Sequence, residues 1–102
     1  MNIKLLKNEF LLSLDDDDVG LWEVWVLANQ LYQGGPEVKK AAILEVIREL
    51  LDEKSMIAGE IHDGVIKKWK GTSEEIIERI DSEWRKLNRD PDLGDVVWFF
   101  KV

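Results

Sequence analysis

The chain predicts a single α+β domain. Three observations carry this: amphipathic helical stretches fill the first half, a two-residue hairpin follows them, and a further helix and a short aromatic strand close the sequence. At 102 residues the chain is long enough to bury one core and too short to hold two, so residues 1–102 are expected to fold as one unit. An apolar fraction of 45% beside a charged fraction of 34% is that of an ordinary globular protein. No run approaches the roughly 20 apolar residues that cross a bilayer, so a soluble protein without a membrane partner is expected.

Residues 2–14 place Ile3, Leu6, Phe10 and Leu14 at helical spacing and predict a first helix. The run Asp15 to Asp18 offers an N-cap side chain and negative charge to the positive end of a second helix, expected to begin near Val19. In that helix Leu21, Val24, Trp25, Ala28, Leu31 and Tyr32 form one apolar stripe. Trp22, Val26 and Leu27 make much of the other side apolar too, which predicts a central position in the core. Gly34-Gly35-Pro36 then reads as one helix end and the first turn of another. The third helix carries Ile43, Val46, Ile47, Leu50 and Leu51 on one face, with Glu45, Arg48, Glu49 and Asp52 opposite.

Met56–His62 and Val65–Lys70 flank Asp63-Gly64 and read as a hairpin with a two-residue turn. This register sets Ile61 opposite Ile66, Glu60 opposite Lys67 and Ala58 opposite Trp69, all compatible cross-strand pairs. Thr72-Ser73-Glu74-Glu75 has the spacing of a capping box, and Ile76, Ile77, Ile80, Trp84 and Leu87 continue one face of a fourth helix. Pro91 forbids its continuation. The run Val96 to Phe100 suits a third antiparallel strand, covered on both faces and added to the hairpin sheet.

The order helix, helix, helix, strand, turn, strand over residues 2–70 resembles the winged-helix superfamily, with Asp63-Gly64 as the tip of the wing. The resemblance implies a three-helix core with a β-hairpin wing, to which this chain adds a helix and a strand. It is one of element order, without a diagnostic motif, and it transfers no binding residue. Fold does not settle function.

The formal net charge of −7 opposes binding to polyanions, since each phosphate contact needs a cation that displaces a counterion. The charge is unevenly spread. Residues 15–33 hold Asp15, Asp16, Asp17, Asp18 and Glu23 and no base, whereas 54–71 set Lys54, Lys67, Lys68 and Lys70 against Glu60 and Asp63. A winged helix that reads DNA presents basic or amide-bearing residues from its third helix. Here Glu37, Glu45, Glu49, Asp52 and Glu53 outnumber Lys39, Lys40 and Arg48. The wing keeps a nucleic-acid reading alive, because Lys67, Lys68 and Lys70 flank Trp69 and could touch backbone phosphates. A solvated lysine-rich hairpin is the simpler account of the same residues.

Catalysis is not expected. The absence of cysteine removes disulfides, thiol nucleophiles and thiolate metal sites, and fits a reducing, cytoplasmic setting. The basic start Met1 to Lys7 is followed by an apolar stretch, Phe10 to Leu14, too short for a signal peptide, and then by four aspartates. Those aspartates fail as a calcium loop: counting from Asp15 puts Val26 where the bidentate acid belongs, and counting from Asp16 puts Leu21 at the required glycine. The single histidine, His62, sits beside a turn, no serine lies in a nucleophile elbow, and Gly34-Gly35-Pro36 lacks the lysine of a phosphate loop. Glu74, Glu75, Glu78, Asp81 and Glu83 fall on the wet face of an amphipathic helix. No metal or cofactor is expected.

Five tryptophans in so short a chain need a reason. Trp25 and Trp84 fall on core stripes. Trp22, on the second face of the central helix, Trp69, on the wing, and Phe99, in a terminal strand that invites a covering element or another chain, are the candidate partner contacts, with packing of the added helix and strand over the two tryptophans as the simpler account. The expectation is a non-catalytic protein-interaction domain, an inhibitor, an immunity- or antitoxin-like factor or an adaptor, that engages a basic protein or a second copy of itself. A winged-helix regulator of nucleic acid is the alternative.

Overall fold

The computed structural model describes residues 2–102 and shows a compact α+β domain of four helices and a four-stranded antiparallel sheet. In chain order these are α1 (Lys4–Asp16), β1 (Val19–Gly20), α2 (Leu21–Leu31), α3 (Pro36–Asp52), β2 (Met56–His62), β3 (Val65–Lys68), α4 (Ser73–Leu87) and β4 (Trp98–Lys101). The sheet runs β1-β4-β2-β3, so the strand latest in sequence lies between the earliest one and the hairpin. Leu6, Phe10 and Leu14 of α1, Val24 and Ala28 of α2, and Val46, Ile47 and Leu50 of α3 meet in one core with Ala58 and Phe99 of the sheet.

The hairpin pairs as its residues dictate. Ile61 faces Ile66, Glu60 faces Lys67, and the Trp69 N–H donates to the Ala58 carbonyl at 3.0 Å. Asp63 and Gly64 both take positive φ, 51° and 79°, the pairing that a type I′ turn requires and that matches the twist of its strands. Thr72 caps α4 by accepting from the Glu75 N–H, while Glu75 accepts from the Thr72 N–H. Proline opens α3 at its first position, where its missing N–H costs nothing.

Several boundaries depart from the periodicity, among them the end of the hairpin's second strand, which stops at Lys68 rather than Lys70. The aspartate run does not cap α2: Asp15 and Asp16 are the last residues of α1, and the Asp17 N–H closes onto the Ser13 carbonyl. Val19 does not begin α2 either. It pairs with Phe99, and Gly20 with Trp98, making a two-residue strand before the helix starts at Leu21. Burial of Val19 against the sheet outweighs any gain from one more helical residue. The last strand begins at Trp98 rather than Val96, because Val96 sits at a left-handed φ of 67° that no strand admits. Within β4 the neighbours Phe99 and Phe100 are both buried although they point to opposite faces, so this strand is covered on both sides.

Candidate protein-interaction surface

The three aromatic candidates take different places in the structure. Phe99 is fully buried, its ring edge-on to Phe10 of α1 with centroids 5.3 Å apart, and contributes no surface. Trp69 is 4% exposed and belongs to the core as well. For both residues the covering element, and not an exposed contact, is what the structure shows, and each has a local cause. Phe99 is flanked by β1 and β2 rather than left on an edge.

Trp69 is held under α4 by a polar cluster. Its indole N–H donates to Glu60 Oε1 at 2.9 Å, the Arg79 guanidinium lies 3.7 Å over the ring, and Arg79 Nη2 donates to the same Glu60 oxygen at 2.8 Å. His62 Nε2 lies 2.6 Å from the other Glu60 oxygen, and Arg79 reaches on to Glu83. The bond from His62, then that from Trp69 and the charge of Arg79, hold the Glu60 carboxyl below its ordinary range. Sequence spacing could not show this, because Arg79 lies on a helix whose docking angle no local pattern contains.

Trp22 is the candidate that keeps a surface. It is half-buried, standing where α2 leaves the sheet, and its indole lies over Gly20: a Cβ there would come within 2.9 Å of Trp22 Cδ1 and Nε1, and within 3.5 Å of Trp98. Gly20 is needed for this close approach and not for its backbone angle, since φ is −84°. The Trp22 Nε1–H has no acceptor. One turn further, Val26 is 43% exposed, and Trp22, Val26 and Gln30 fall in one row at four-residue spacing. With Ser13, Glu23 and Leu27 they line a shallow groove of about 260 Å³ between α1 and α2.

The stretch of chain that lines this groove carries charge of one sign. From residue 8 to residue 38 every charged side chain is an acid: Glu9, Asp15, Asp16, Asp17, Asp18, Glu23 and Glu37. Asp15 pairs with Lys101 at 2.6 Å, whereas the other six make no ion pair among the described residues. Partial burial, and then the neighbouring Asp17, push the Asp18 carboxyl above its ordinary range. The aspartates do not converge on one point, for Asp15 turns to Lys101 and Asp17 accepts from the Asp18 N–H. Among the described residues no group of three or more His, Cys, Asp or Glu side chains could hold a metal ion.

The lysines of the hairpin lie at the opposite edge of the sheet. Lys67, Lys68 and Lys70 are exposed and form no ion pair among the described residues. Two of the three bases of α3 are differently placed, Lys40 bound to Asp81 and Arg48 to Glu74, both on α4, which packs along α3, while Lys39 donates to Asn29 of α2 and makes no ion pair among the described residues. No helix of the described residues is long and apolar enough to cross a membrane. No protein-family model, curated protein or solved structure matches the chain.

Proposed function

We propose that this domain is a non-catalytic protein-interaction module that engages a basic protein through its α1–β1–α2 side, as an inhibitor, an immunity- or antitoxin-like factor, or an adaptor. The observation that carries the reading is the conjunction at that side: an apolar row, Trp22 and Val26, set in a 31-residue stretch, residues 8–38, without a single basic side chain. Acidic fields of this kind steer basic partners, and a half-buried tryptophan supplies an anchor of the kind that interfaces concentrate their energy on. The indole N–H without an acceptor adds to it. A partner that draws the ring outward offers that donor a carbonyl it lacks in the free chain, a gain specific to the bound state. A reducing, cytoplasmic setting suits a domain without cysteine.

The test is capture of basic proteins by the immobilised domain from nuclease-treated native lysate, repeated with Trp22→Ala and with Asp16→Asn/Asp17→Asn/Glu23→Gln. A partner lost with Trp22→Ala and weakened by the charge variant and by salt supports the reading, provided both variants melt as the parent does. A partner indifferent to all three would remove it.

A second reading takes the α+β core as a winged-helix arrangement that touches nucleic acid through its wing. Its support is the free state of Lys67, Lys68 and Lys70 on an exposed hairpin. Against it, the exposed charges left on α3 are Glu37, Glu45 and Asp52, where phosphates would have to approach. Retention of nucleic acid at low salt, abolished by Lys67→Ala with Lys68→Ala, would reverse the order of the two.

A further inference from the structure

The geometry points to β3 as a self-pairing edge: two copies of this chain join antiparallel through Val65–Lys68, about a two-fold axis at Ile66, to make one continuous eight-stranded sheet. This concerns the opposite edge of the sheet from β1 and is independent of the proposed function.

The argument begins with which amides of β3 are free. The Trp69 N–H donates to the Ala58 carbonyl, so Trp69 points its backbone groups inward to β2. In an antiparallel ladder the direction alternates, so Lys67 and Val65 also point inward while Ile66 and Lys68 present N–H and C=O outward. Nothing among the described residues pairs with that side, because β3 is the last strand of the sheet and all four of its residues are exposed. Such an edge is a template for another strand.

The side chains then select the register. Phe99 packs on the helices and stands opposite Ala58, so Ala58 and Glu60 share the helix face, and Ile61 and Ile66 lie on the outer one. Ile61 is 39% exposed and Ile66 49%. A two-fold axis at Ile66 sets Ile66 against Ile66, each donating to and accepting from the other, and draws Ile61, Ile66, Ile66 and Ile61 into one apolar row across the outer face. Lys67 then stands opposite Val65, and Lys68 opposite Gly64 beside the Asp63 carboxylate, so no lysine meets a lysine directly. An axis at Lys67 would also satisfy the ladder, pairing Ile66 with Lys68 on either side, but it opposes two ammonium groups at the axis and breaks the apolar row. The lysines thus permit one closed pairing and disfavour slipped ones, which suits a dimer rather than a fibre.

The experiment is sedimentation of the full chain over a range of concentrations, with amide hydrogen exchange. The parent is expected to reach twice the 11.9 kDa of the single chain and to protect the Ile66 and Lys68 amides as it does so. Ile66→Pro removes an outward N–H and no bond within the hairpin, so it is expected to give a folded single chain with a fast-exchanging Lys68 amide. Ile66→Lys, which leaves the backbone unchanged and sets two ammonium groups face to face, gives the same result by charge. A parent that stays single up to millimolar concentration overturns the proposal, as does a dimer that survives both substitutions in folded protein. Pairing of a single-chain parent with an acidic extended peptide at the same edge would also overturn it, and would give that edge to a different chain.

Discussion

Two residues show how little the local pattern says about its own purpose. Gly20 precedes a helix and has an unexceptional φ of −84°, yet the Trp22 indole leaves no room for a methyl group above it. Gly20→Ala is expected to cost about 1–3 kcal/mol by overpacking and to shift the tryptophan fluorescence as the ring is displaced; both are read in one thermal melt. Glu60 is surrounded by His62, Trp69 and Arg79, and these hold its carboxyl below the ordinary range. A carboxyl lowered in the folded state contributes stability that is present above its unfolded pKa and is lost as pH falls through the folded one. Glu60→Gln is therefore expected to lower the melting temperature at neutral pH, and the gap to the parent should close in acid below the carboxylate range. A gap that stayed constant with pH would mean that shape, and not charge, carries the contribution of Glu60.

Among the elements, α3, the β2–β3 hairpin and α4 were legible because each contains its own signal. The apolar period of Ile43 to Leu50, the positive-φ pair Asp63-Gly64 and the reciprocal cap of Thr72 and Glu75 each act over a few residues. The strand β1 was illegible for the converse reason. Two residues have no period, and Val19 is extended only because Phe99, eighty positions away, offers it a partner. The same pairing explains why Phe99 read as an edge residue: β4 becomes an interior strand once β1 is added to the sheet. Phe99→Ala is accordingly expected to destabilise the domain by about 3–5 kcal/mol, the cost of a buried phenyl group, where an edge residue would cost far less; a denaturant titration measures it. Of the candidate interaction surface, Trp22 and the acidic stretch could be read in advance. The polar cluster on Trp69 could not, because it depends on how α4 docks.

At the scale of the molecule, the chain is divided electrostatically and geometrically in the same way. The acidic stretch belongs to α1, β1 and α2 at one side of the sheet, and three unpaired lysines, Lys67, Lys68 and Lys70, belong to the hairpin at the other. A basic partner on the first and a second copy on the last would leave both surfaces free to act at once. The order β1-β4-β2-β3 also has a temporal meaning. While the protein is being synthesised, the hairpin and the first three helices emerge before the strand that must stand between β1 and β2. Until Trp98–Lys101 has left the ribosome, Val19 has no partner, the inner edge of β2 is bare, and the apolar face meant for Phe99 is open to water. Completion of the sheet therefore depends on a contact between chain segments some eighty positions apart, a non-local pairing of the kind that slows folding.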